Sequence, residues 1–115
     1  MSVFFRFYKR EKIISRAIQI DTDLYGELGH LSKNTYDASI NKLVNACIER
    51  LIETKNVVVY ENENKDYITR SFEIRESFIK GIEALSAKYD VAFYKLVNIS
   101  IRNALIEEGI LKDKK

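Results

Sequence analysis

Apolar positions along this chain change period twice, and the same change occurs in each half. In RAIQI, residues 16–20, Ile18 and Ile20 alternate with Ala17 and Gln19, which predicts a strand with one buried face. Leu24, Leu28 and Leu31 then keep helical spacing behind a cap at Asp21 or Thr22. After a loop at Tyr36-Asp37, a longer helix is predicted with Ile40, Leu43, Val44, Cys47, Ile48 and Leu51 on one face. The second half repeats the order. RSFEI alternates through Phe72 and Ile74, one helix carries Phe78, Ile82 and Leu85, and the next carries Phe93, Leu96, Val97, Ile101, Ala104 and Leu105.

The halves also share wording. YDASINKLVN at 36–45 returns as YDVAFYKLVN at 89–98, and Ile14-Ser15-Arg16 matches Ile68-Thr69-Arg70. The frame slips by one residue in a loop, where insertions cost least. Strand, helix, loop and helix in one order argue for duplication over chance. Leu43, Val44, Leu96 and Val97 are expected to meet in the core, with the neighbouring lysines facing out. Gly26 and Gly29 each cost the first helix about 1 kcal/mol relative to alanine, so it should be marginal unless a close neighbour holds it. Residues 3–14 and the flanks of ENENK at 61–65 form either extra hairpin strands or a flexible arm and linker.

The 115 residues suit one compact domain or two very small halves. With 46% hydrophobic and 31% charged residues, the composition is that of a chain able to build a core rather than remain disordered. No run approaches a membrane span, and VFFRFYKR places apolar residues before charges, the wrong order for a secretory signal. A cytoplasmic protein is therefore expected, and the single Cys47 agrees with a reducing compartment. The net charge of +2 says little about partners, but Arg6, Lys9, Arg10, Lys12 and Arg16 face only Glu11 within residues 6–16. That arm is either a phosphate contact or a solvated terminus.

A short strand and two amphipathic helices cannot bury their apolar faces alone. The stretches RAIQIDTDLYGELGHLS with SINKLVNACIERLI, and RSFEIRESFIKGIEALS with AFYKLVNISIRNALI, resemble the ribbon-helix-helix family of DNA-binding proteins. The resemblance covers residues 15–53 and 69–106, and the layout is similar to members that carry two units per chain. It implies an α+β fold in which two ribbon-helix-helix units form an intramolecular pseudo-dimer, with an antiparallel β-ribbon over four helices. Residues 1–54, with the basic arm, would be the first unit. Residues 55–115 would be the second, packed with the first as one globular domain. Two family features are replaced: Asp21 and Arg75 stand where proline is common, and Asp37-Ala38-Ser39 and Asp90-Val91-Ala92 stand in place of a Gly-x-Ser turn.

If Ile18, Ile20, Phe72 and Ile74 point inward, then Ser15, Ala17, Gln19, Thr69, Ser71 and Glu73 share the outward face. In the resemblance these are the base-reading positions, though small polar residues also suit a merely solvated sheet. Gln19 matches adenine, Glu73 matches the cytosine amino group, Ser and Thr match either, and Ala17 matches a thymine methyl. Phosphate contacts are assigned to Arg16 and Arg70 at the strand starts, Lys42 and Lys95 in the first turns of the second helices, Ser39 at a helix start, and Arg10 and Lys12 in the arm. Because the outward residues differ between halves, the site need not be a palindrome, and neighbouring copies are expected to self-associate along the DNA.

The expected partner is double-stranded DNA, with no membrane, cofactor, metal or small-molecule substrate. An enzyme is disfavoured, because His30 and Cys47 are the single histidine and cysteine and no metal-ligand spacing or phosphate-binding glycine loop occurs. A sequence-specific transcriptional regulator, such as a viral or plasmid repressor, is the leading reading. A relaxosome accessory or plasmid-maintenance protein shares the same DNA chemistry. An antitoxin ranks lower, since EEGILKDKK after Ile106 is short for a toxin-wrapping tail, and a pure protein-interaction module would bind no DNA.

Overall fold

The computed structural model describes residues 3–4, 8–60 and 66–112. Strand β1, Ile13–Asp21, leads into helices α1, Thr22–Asn34, and α2, Ile40–Thr54; strand β2, Tyr67–Arg75, leads into α3, Glu76–Tyr89, and α4, Phe93–Glu107. The strands are longer than the alternating cores of RAIQI and RSFEI because pairing carries their ends. β1 and β2 run antiparallel from Ile13 opposite Arg75 to Asp21 opposite Tyr67. Glu76 N donates to Lys12 O at 2.9 Å and Thr22 N to Asp66 O at 3.0 Å, so the ladder continues one step past each end.

The structure corrects the expectation of two ribbon-helix-helix units joined as a pseudo-dimer. Among the described residues it holds a single two-stranded ribbon, with elements in the order β1, α1, α2, β2, α3, α4. Each half supplies one strand only, and the backbone groups on its inner edge are satisfied by the other half. Neither half is thus a ribbon-bearing unit, and the chain is one α+β fold.

The choice left open between extra strands and an arm or linker is decided for part of these segments. Among the described residues, 8–12 and 57–60 are not in strands. The expected turn at 61–65 and part of the expected N-terminal strand, residues 5–7, lie outside the described residues. Val3 and Phe4 are buried, and the Phe4 ring lies 5.3 Å from that of Tyr36. Apolar burial thus fixes this part of the N-terminal segment against the core, which a solvated terminus would not do.

The ribbon's inner face drives assembly. Ile18, Ile20, Phe72 and Ile74 are buried over α2 and α4, each contributing about 1.5–3 kcal/mol by leaving water. Leu43, Val44, Leu96 and Val97 are buried in the same core, and Cys47 with them. Helix ends follow local chemistry: Asp21 Oδ1 accepts from Asp23 N and Leu24 N, and Ser39 Oγ accepts from Lys42 N at 3.2 Å. α2 and α3 stop at Lys55 and Asp90, both left-handed, with φ of 55° and 54°.

Packing does not require Gly26 or Gly29, since a Cβ at either would meet nothing within 4 Å; α1 is held to the core by buried Leu24, Leu28 and Leu31. Gly81 differs: a Cβ there would press on Cδ1 at the tip of the Ile52 side chain on α2, which would have to turn aside.

Candidate nucleic-acid interface

Alternation along the paired strands puts Ser15, Ala17, Gln19, Thr69, Ser71 and Glu73 on one exposed face, opposite the core. The register sorts them into three cross-strand rows, Ser15 opposite Glu73, Ala17 opposite Ser71 and Gln19 opposite Thr69. Exposed Ile13 and Tyr67 continue the face beyond the two outer rows. The chemistry presented is a carboxylate at one end, a carboxamide at the other, hydroxyls beside both, and a small centre.

Two residues missed from sequence hold this ribbon in place. Asn98 Oδ1 accepts from Asp21 N at 2.9 Å, and Asn98 Nδ2 donates to Gln19 O at 2.9 Å and Tyr94 O at 2.7 Å. Asn45 repeats the pattern on the other strand. Its Oδ1 accepts from Arg75 N at 3.0 Å, and its Nδ2 donates to Glu73 O at 2.8 Å and Asn41 O at 2.7 Å. Asn41 Oδ1 adds a bond from Glu73 N at 3.1 Å. Each amide acts as a short piece of neighbouring strand, satisfying edge groups that a two-stranded ribbon would otherwise leave open. Both asparagines sit on otherwise apolar helix faces and both end the repeated KLVN, which was the available signal.

The strand arginines are held by aromatic rings. The Arg16 guanidinium lies 4.3 Å from the centre of Phe93 at the start of α4, whereas Arg70 lies 5.5 Å from Tyr25 of α1 and donates from Nη1 to Thr69 O at 2.9 Å. The two equivalent arginines thus lie at different helices. Lys42 and Lys95 are exposed, and Ser39 spends its hydroxyl on capping α2. Ala92, its counterpart at α4, provides no side-chain cap.

The arm carrying exposed Lys9, Arg10 and Lys12 is strapped to the ribbon's end. Arg75 stands between the Tyr8 ring, 4.7 Å away, and Glu11, whose Oε2 accepts from Arg75 Nε at 3.1 Å. Glu11 also accepts from Ser77 N at 2.8 Å and Ser77 Oγ at 2.9 Å. It therefore caps α3, where Arg75 cannot do what Asp21 does for α1. The backbone N–H of Ser77, aided by its hydroxyl and by Arg75, holds the Glu11 carboxyl below the usual glutamate range against the opposing effect of burial.

His30 is exposed on α1, with Asn34 Nδ2 3.1 Å from its Nδ1. Among the described residues, no group of three or more His, Cys, Asp or Glu side chains is placed to hold a metal ion. No helix there is long and apolar enough to cross a membrane. Comparison with protein-family models, curated proteins and solved structures returns no match.

Proposed function

We propose that this chain is a sequence-specific DNA-binding regulator of transcription that lays the outward face of its ribbon in the major groove of double-stranded DNA. The observation that carries the reading is the face itself. Three rows of side chains, all but Ala17 able to hydrogen-bond, stand exposed on a ribbon whose backbone is anchored from below by Asn45 and Asn98. A two-stranded ribbon fits the major groove, where base edges present a distinct pattern of donors and acceptors. Arg16, Arg70, Lys42, Lys95, Arg10 and Lys12 supply cationic groups for phosphates on either side. Resemblance to the ribbon-helix-helix family points the same way. Action in the cytoplasm, of the host cell if the protein is viral, and association of neighbouring copies along DNA belong to this reading.

The test is Gln19→Ala on a selected duplex and on random duplex. Loss of a base contact costs about 1 to 3 kcal/mol on the selected site and little on random DNA. Equal losses on both would remove the base-reading role.

A further inference from the structure

Resting on the DNA-binding reading, we infer that Gln19 and Glu73 make the ribbon directional: one end accepts an adenine, the other demands a cytosine amino donor, and the preferred duplex is not an inverted repeat. The two residues hold equivalent places. Gln19 lies in RAIQI and Glu73 in RSFEI, each between two buried apolar residues, and each has its carbonyl clasped by the asparagine of a KLVN segment. Backbone placement is therefore matched at the two ends, and discrimination falls to the side chains.

The register makes the difference between the ends small and specific. The row at one end is Gln19 with Thr69, and the row at the other is Glu73 with Ser15. Thr69 and Ser15 offer the same hydroxyl, so the contrast reduces to carboxamide against carboxylate. The central row, Ala17 with Ser71, adds an asymmetry of its own, a methyl from one strand and a hydroxyl from the other, between the two ends. Along the strand, Ser15 and Gln19 stand roughly 13 Å apart, the rise of about four base pairs.

The chemistry at those ends is not interchangeable. A glutamine amide donates and accepts, and pairs in two places with adenine N6 and N7. The Glu73 carboxylate only accepts, so guanine O6 and N7 or a thymine O4 would face it as bare acceptors. It tolerates the groove only where an amino group meets it; adenine N6 brings the N7 acceptor alongside, so cytosine N4 is the matching donor. Asn41 Oδ1, 3.1 Å from Glu73 N, further fixes this residue's backbone and limits its retreat from a mismatched base.

Selection of binding duplexes from a random pool by wild type and by Glu73→Gln tests this. Both positions are exposed, and glutamine is nearly isosteric with glutamate, so the variant is expected to fold. Wild type should select an asymmetric site with adenine at one end and cytosine at the other. Glu73→Gln should select adenine at both ends, and bind that duplex about tenfold or more tightly than wild type does. A symmetric wild-type site, or an unchanged asymmetric site for the variant, would overturn the directional assignment while leaving DNA binding intact. If folded wild type enriches no duplex, the DNA-binding reading falls and this inference with it.

Discussion

Asn98 Oδ1 lies 2.9 Å from the backbone nitrogen of Asp21, and the same side chain donates to Gln19 O. A residue near the C-terminal end of the chain thereby fixes the strand-to-helix turn near its start. Replacing Asn98 by alanine leaves a buried N–H and a carbonyl unpaired, at a cost of about 1–3 kcal/mol for each group. Asn45→Ala should cost a similar amount through Arg75 N and Glu73 O. The two clasps share no partner, so the double variant should lose close to the combined amount in urea denaturation.

Glu11 gives the fold an acid-sensitive latch. Its folded-state carboxyl titrates below the ordinary glutamate value, so its contribution is fully present above that value and is lost as the pH falls through the lowered one. Glu11→Gln should therefore be less stable than wild type at neutral pH. The gap should close in acid, as followed by thermal unfolding at a series of pH values. A gap that stays constant down to strongly acidic pH would contradict the capping role.

The glycines divide by what surrounds them. Gly26→Ala and Gly29→Ala should each raise stability by up to about 1 kcal/mol, because both lie inside α1 with open space at the Cβ position. Gly81→Ala should forfeit that gain, since its methyl group meets the Ile52 side chain. Ile52→Val removes the nearest carbon, Cδ1, and should restore part of the gain in the double variant. Chemical denaturation of the four variants checks this.

Arg16 owes its position to an aromatic ring. Arg16→Ala should weaken binding to all duplexes alike and reduce the steepness of the salt dependence by about one unit. Phe93→Leu, which keeps an apolar side chain but removes the ring under the guanidinium, should do part of the same. An effect on one sequence alone would argue against a phosphate contact.

Local pattern carried much of the fold. Ile18, Ile20, Phe72 and Ile74 announced the strands' buried face because strand alternation is a property of neighbouring residues, and the helix faces were legible for the same reason. What pairs with what is not local. The single ribbon shared by the two halves follows from which edges meet, and the Glu11 cap on α3 joins segments far apart in sequence. The outward rows could be listed from parity, but their pairing, such as Ser15 with Glu73, depends on register. Asn45 and Asn98 were in plain view at the end of KLVN, yet the repeat drew attention to its leucines, valines and lysines. A helix-interior asparagine beside buried residues is a poor helix former, and its need for partners was the sign that something had to be clasped. Arg16 and Arg70 looked equivalent by repeat and are not, because Phe93 has Ile40 as its counterpart and an isoleucine offers no ring.

The central claim is that the ribbon face binds duplex DNA, and the most direct measurement is fluorescence anisotropy of a labelled random duplex titrated with wild-type protein at several salt concentrations. Binding should be clear at low salt and fall linearly on a logarithmic plot as salt rises, with a slope set by the number of phosphates met by the lysines and arginines beside the ribbon. Absence of binding at low salt, or an affinity indifferent to salt, would contradict it.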